Sequence, residues 1–162
     1  MGVSGAGKST IALALSKDLD YDFLDADWLH PARNLQKMEA GEALTDEDRQ
    51  PWLEAVGDWL RDVTSKGRGS IAACSALKRT YRDTLRRYVP DLFFVYLSGT
   101  RDQIETRIED RHHEFMPASL LESQFAILEP LQPDERGMRV DITMDGDEIV
   151  SLVRGAVEPA GR

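Results

Sequence analysis

The stretch Gly2-Val3-Ser4-Gly5-Ala6-Gly7-Lys8-Ser9 fits the pattern G-x-x-x-x-G-K-[ST]. Residues of these types at this spacing suit one chemistry, the binding of a polyphosphate. Glycines let the backbone turn tightly and bring N–H groups against phosphate oxygens. The lysine reaches the β- and γ-phosphates, and the serine hydroxyl ligates Mg²⁺. A helix must follow, so that its positive end faces the anion. Ile11, Leu15 and Leu19 recur every four residues with Ala12 and Ala14 between them, which predicts that helix. Gly2, Ser4, Gly5, Ala6, Gly7, Lys8, Ser9 and Thr10 are therefore the candidate ATP-binding residues, with Lys8 also catalytic.

Transfer of a phosphoryl group to an alcohol needs more: a metal ligand, a group that orients or deprotonates the acceptor, and cations for developing charge. Asp25 and Asp27 lie two apart at the end of a short strand predicted over 21–25. Asp25 is the candidate Mg²⁺ ligand beside Ser9, and Asp27 the candidate acceptor of the substrate proton. Arg107 and Arg111 stand one helical turn apart and are candidates for stabilising the transferring group. Lys78, Arg79, Arg82, Arg86 and Arg87 form a basic cluster after another strand. Of these, Lys78 and Arg82 are expected to reach an anionic substrate, and the other three to be solvated. His30, three residues after Asp27, is a candidate hydrogen-bonding partner for a polyol. No zinc-ligand spacing involves it. His112 and His113 read as solvated, and Cys74 as a small buried residue.

Alternating elements must position these groups. Helices are predicted over 31–40, over a segment capped by Thr45-Asp46-Glu47-Asp48 whose main part opens at Pro51, and over 78–88, 101–111, 118–128 and 147–153. Strands are predicted over 70–74, 92–97 and, half-exposed, 138–144. Trp52 and Trp59 belong to an apolar helix face and read as core. Strands alternating with helices imply an α/β fold with a parallel sheet flanked by helices, whose ligands bind beyond the carboxyl ends of the strands. The glycine loop, Asp25 with Asp27, and Cys74-Ser75-Ala76 all fall at such ends. A strand is also expected before Gly2, where only Met1 stands. The sheet is thus expected to lack its first strand, by truncation ahead of Met1.

The 162 residues suit a single domain, expected over 1–155 with a loose tail over 156–162. With 29 acidic residues against 20 basic ones, the net charge of −9 argues against nucleic acid as partner. No apolar run approaches the ~18 residues of a membrane span. The single cysteine suits a reducing, cytoplasmic setting.

Longer motifs carry a resemblance. The glycine loop, Phe23-Leu24-Asp25-Ala26-Asp27-Trp28-Leu29-His30-Pro31, Gly41-Glu42-Ala43-Leu44-Thr45-Asp46, Asp48-Arg49-Gln50-Pro51-Trp52-Leu53 and Cys74-Ser75-Ala76-Leu77-Lys78-Arg79 with Tyr81-Arg82-Asp83 resemble the small P-loop gluconokinases over nearly the whole chain. The resemblance implies a fold similar to shikimate kinase, with a five-stranded parallel sheet, a substrate-binding helical region about 27–65 and an arginine-bearing lid about 107–120. It implies ATP-dependent, Mg²⁺-assisted phosphorylation of D-gluconate to 6-phosphogluconate, and often a homodimer. Asp27 and Arg49 would contact the sugar acid, Arg49 through its carboxylate, with Lys78 and Arg82 in the same pocket. Glu114 stands where many relatives carry histidine, so no role carries over to it. Three other readings remain open on the residues: a kinase of the same fold acting on shikimate or another sugar acid, a nucleotide-binding protein with weakened catalysis, and a nucleic-acid 5′-hydroxyl kinase.

Overall fold

The structure is a computed structural model that describes residues 1–110 and 118–157. After the glycine loop comes α1 (Lys8–Leu19), then β1 (Asp22–Asp25), a 3-10 turn (Ala26–Leu29), α2 (Ala32–Glu39) and α3 (Asp46–Ser65). The second half runs β2 (Ser70–Ala73), α4 (Arg79–Tyr88), β3 (Phe94–Ser98), α5 (Arg101–Asp110), α6 (Ala118–Ile127), β4 (Gly137–Asp141) and α7 (Gly146–Val157). The α/β reading with parallel strands flanked by helices holds. β1 pairs in parallel with β2, from Asp22 opposite Ser70 to Asp25 opposite Ala73. β3 pairs in parallel with β4, from Phe94 opposite Gly137 to Ser98 opposite Asp141.

The five-stranded sheet implied by the resemblance appears among the described residues as two two-stranded ladders. Met1 and Gly2 bridge them. The Gly2 amide donates to the Ser75 carbonyl at 3.1 Å, and the Leu97 amide donates to the Met1 carbonyl at 3.0 Å. A cleft of about 320 Å³ continues between the ladders, lined by apolar side chains that include Ile11, Leu15, Ile71 and Val95.

α1 and α3 both pack on β2, while α7 joins α1 and α4 joins α3. The core they enclose includes Trp52, Leu53, Val56, Leu77, Ile104 and Ile142, each buried to 1% exposure or less. Thr45 caps α3 through a reciprocal pair: its hydroxyl accepts from the Asp48 amide, and the Asp48 carboxylate accepts from the Thr45 amide. The expected cap at Thr45 is present, and the expectation that the main part of the helix opens at Pro51 is corrected: α3 runs unbroken from Asp46, with Pro51 inside it. As the sixth residue of α3 it forfeits the amide that would bond the Glu47 carbonyl, and that carbonyl belongs to an exposed residue of the first turn. Trp52, one residue on, donates its indole N–H to the Ala26 carbonyl at 2.7 Å. That bond ties α3 to the turn carrying Asp27.

Candidate active site

The loop over residues 2–9 closes on α1 at Gly7, whose φ of 94° lies in the left-handed region glycine favours. No side chain caps this helix end, so its amides face the space where an anion would sit. The Lys8 ammonium donates to the Val3 carbonyl at 2.9 Å and so lies folded along the loop. Ser9 and Asp25 are in direct contact: the Ser9 hydroxyl donates to Asp25 Oδ2 at 2.6 Å. The other Asp25 oxygen accepts from the Asp27 amide at 3.1 Å, which starts the 3-10 turn. A hydroxyl and a carboxylate in contact beside a phosphate loop are the hard oxygen donors that Mg²⁺ takes, the remainder coming from phosphate and water. Among the described residues no group of three or more His, Cys, Asp or Glu side chains could hold a metal by itself.

Asp27 is placed differently from Asp25. Its side chain is 79% exposed. His30 Nε2 lies 3.8 Å from Asp27 Oδ1, beyond hydrogen-bond range. The His30 ring stacks on Trp52 with centroids 4.3 Å apart and planes 14° from parallel. Its Nδ1 faces the Asn34 amide nitrogen at 3.3 Å, which also donates to the Asp48 carbonyl at 2.9 Å. With a donor on Nδ1, the neutral ring carries its proton on Nε2, facing Asp27. Burial, and then the nearby Arg49 charge, hold the His30 pKa down to about 4.

His30 is therefore uncharged at neutral pH, with its Nε2–H left as a donor. The pH dependence follows with its sign. A histidine depressed from 6.5 to about 4 binds fewer protons folded than unfolded in that window, so stability falls as pH drops through it. The Michaelis constant for the acceptor is expected to show no His30 titration between about pH 5 and 8. An acidic limb with an apparent pKa near 6.5 that disappears in His30→Asn would contradict the neutral assignment.

Beyond His30 stands a cationic cluster joining α3 to the start of α4. Arg49 is 7% exposed, and its Nη1 donates to the Tyr81 hydroxyl at 3.1 Å. Lys78 stands at the N-terminal end of α4 and donates to both Asp46 oxygens, at 2.8 and 2.9 Å. The Tyr81 hydroxyl makes a short hydrogen bond to the same Asp46. The bonds from Lys78 and then Tyr81 hold Asp46 below the usual carboxylate range, and the Asp46 bond raises Lys78. Asp46 and Tyr81 complete this cluster, and sequence reasoning did not place them in it: Asp46 read as helix-cap chemistry.

Arg82 does not belong to this cluster, and that expectation is corrected. It is completely buried and forms a two-pronged pair with Glu135, Nε at 2.6 Å and Nη2 at 2.7 Å. Its remaining capacity goes to the carbonyls of Ala76, Leu77, Glu129 and Pro130. A guanidinium so enclosed has no face for a substrate. The reading of Arg79 and Arg86 as solvated is corrected too: Arg79 pairs with Asp83 and Asp134, and Arg86 with Asp83 and Glu135. Cys74 is buried, which pushes its thiol up to about 11 and fits the core role expected.

From the opposite side, Arg107 on α5 reaches the glycine loop. Its Nη1 donates to the Ala6 carbonyl at 3.4 Å, and Nη2 to the Ile142 carbonyl. Ile108 beside it lies so close that a Cβ on Gly5 would meet it at 2.7 Å, which requires glycine there. Arg111 and Glu114, with the centre of the expected lid, lie outside the described residues, as do residues 158–162 of the expected tail, whose first two residues, 156 and 157, instead continue α7.

The shikimate kinase family model matches residues 4–129. The gluconokinase of Gluconobacter oxydans is 46% identical over 140 residues, covering 86% of this chain and 79% of that protein. An unliganded sugar kinase from Janibacter sp. HTCC2649 superposes with a TM-score of 0.94 at 42% identity, covering 99% of this chain and 92% of that one. A gluconokinase from Sinorhizobium meliloti 1021 superposes at 0.88 with 41% identity, covering 96% and 87%. Matched by that family model over most of its length and by relatives above 40% identity covered to more than two thirds, the chain belongs to the gluconokinase family of shikimate kinase-like P-loop kinases.

Proposed function

We propose that this chain transfers the γ-phosphoryl group of ATP to the 6-hydroxyl of D-gluconate, giving 6-phosphogluconate and ADP. One observation supports the reading above the others: His30 joins the two halves of the site. Its ring lies 3.8 Å from Asp27 on one side and feels the Arg49 charge on the other. A polyol with a carboxylate at one end and a primary hydroxyl at the other matches that span. Arg49 and Lys78 receive the carboxylate, His30 Nε2–H donates to a hydroxyl between, and Asp27 takes the proton of the attacking hydroxyl. Lys8, the loop amides and Arg107 hold the phosphates and neutralise charge as the group transfers. Ser9 and Asp25 would hold Mg²⁺, which supplies charge neutralisation at the phosphates.

Lys78 enters this scheme only by leaving Asp46 at least in part. An arriving carboxylate would compete with Asp46 for the ammonium, while the Tyr81 bond keeps Asp46 satisfied. We read the enzyme as a cytoplasmic one acting on free gluconate. The test is ADP release coupled to an optical signal across D-gluconate, shikimate and other sugar acids. Gluconate is expected to give the highest kcat/KM. Turnover with another acid, and none above buffer with gluconate, would overturn the proposal.

A further inference from the structure

Three consecutive loop residues are each held from outside the loop, by different side chains on two helices. Arg107 on α5 holds the Ala6 carbonyl, and Ile104 and Ile108 crowd Gly5. Gln124 on α6 holds Ser4 at two points. Its Oε1 accepts from the Ser4 amide at 2.7 Å, and its Nε2 donates to the Ser4 hydroxyl at 3.3 Å. Gln124 follows Leu120 and Leu121 by four and three residues, so all three share one helix face. Those leucines are buried and anchor α6 in the core, which carries the amide over the loop.

The geometry points to Gln124 as a positioning residue for ATP, acting through Ser4. The assignment rests on the reading that residues 2–9 cradle the phosphates of ATP. A phosphate loop works by presenting successive N–H groups at fixed angles, so a peptide that swings costs the anion several bonds. The Ser4 amide is turned out of the cradle to Gln124, which fixes the peptide planes that follow it. The carboxamide gives Ser4 an acceptor for its amide and a donor for its hydroxyl oxygen without bringing a charge. A carboxylate would accept from both groups and set a negative charge beside the phosphates.

Two variants test this, with Mg-ATP titrated calorimetrically in the absence of acceptor. Gln124→Ala is expected to weaken ATP binding about tenfold, the scale of a lost hydrogen bond that leaves a half-buried amide unpaired. Gln124→Glu keeps the bond to the Ser4 amide, and with it the attachment of α6. It is nevertheless expected to weaken ATP binding at least as much, about tenfold or more. The Michaelis constant for gluconate is expected to stay within about twofold in both. A purely structural tether predicts a lowered melting temperature in Gln124→Ala with wild-type ATP affinity in the folded protein, whereas the added charge weakens ATP in Gln124→Glu under either reading. A loss of less than about threefold in Gln124→Ala overturns the assignment. Should the alanine variant fail to fold, Gln124→Asn, which keeps the carboxamide and loses its reach to Ser4, decides in its place: a loss of about threefold or more supports the assignment and a smaller one overturns it. Because ATP binding is read without acceptor, failure of gluconate as substrate leaves the role of Gln124 intact. Wild-type protein that binds no Mg-ATP overturns both readings.

Discussion

Asp27→Asn is expected to lower kcat for gluconate by about 10²–10⁴-fold, the range for removing a positioned general base. The two carboxylates at the end of β1 are chemically alike, and their surroundings divide the work between them. Asp25 has both oxygens committed, one to the Ser9 hydroxyl and one to the Asp27 amide. Its charge is thereby fixed beside the phosphate loop, where a cation is wanted. Asp27 presents a largely exposed carboxylate at the mouth of the site, with the His30 ring beside it. Asparagine keeps the size and one acceptor oxygen, but cannot take a proton. The loss should therefore fall on kcat, with the Michaelis constant for gluconate little moved. Stability should not change, because the side chain is 79% exposed. Steady-state kinetics with gluconate varied at saturating ATP read this directly. An unchanged kcat would remove Asp27 from the reaction and leave orientation to the recess alone.

How much of this was legible in the sequence depended on how far apart the partners lie. The loop over residues 2–9 and the Asp25–Asp27 pair are local patterns, so their chemistry could be read from residue types and spacing. The contact between Ser9 and Asp25 spans only 16 residues. It also follows from strand order, since both sit at carboxyl ends. The capping box of α3 was visible for the same reason. Contacts made by topology were not. Gln124 meets Ser4 across 120 residues, and its helix shows nothing beyond an ordinary apolar face. Asp46 and Tyr81 were hidden by ambiguity: an acidic residue in a helix's first turn and a tyrosine on an apolar face each have an ordinary use. Only the meeting of α3 with α4, which brings the Tyr81 hydroxyl to Asp46 and Arg49, shows their second one.

Arg82 carries that lesson furthest, and its removal is expected to destabilise the fold rather than merely disable the site. The local pattern, Lys78 and Arg82 four apart after a strand end, placed both in the pocket. The structure separates them, because Glu135, 53 residues on, claims the arginine. Arg82→Met leaves Glu135 buried with Arg86 and the Gln132 amide as partners, and strips donors from four carbonyls. Breaking a buried pair from one side costs about 3–5 kcal/mol. For a domain of this size that lowers the melting temperature on the order of 10 °C. Burial pushes the Glu135 carboxyl up, yet the bonds from Arg82, Arg86 and Gln132 outweigh it and hold the pKa at about 2. A depressed carboxylate contributes stability that is present above its unfolded pKa and is lost as pH falls toward the folded one. The acid limb between about pH 4.5 and 2 should therefore flatten in Glu135→Gln. Replacing both partners, Arg82→Met with Glu135→Leu, should recover part of the loss, since no charge then stays buried without its partner. Two of the carbonyls Arg82 holds, those of Ala76 and Leu77, belong to the turn that delivers Lys78, and Ala76 itself sits at a φ of 42°. An alanine in the left-handed region persists only where its surroundings hold it there. Any folded fraction of Arg82→Met should thus bind gluconate less well through a displaced Lys78. A variant that melts like wild type while losing gluconate affinity would instead return Arg82 to the substrate pocket.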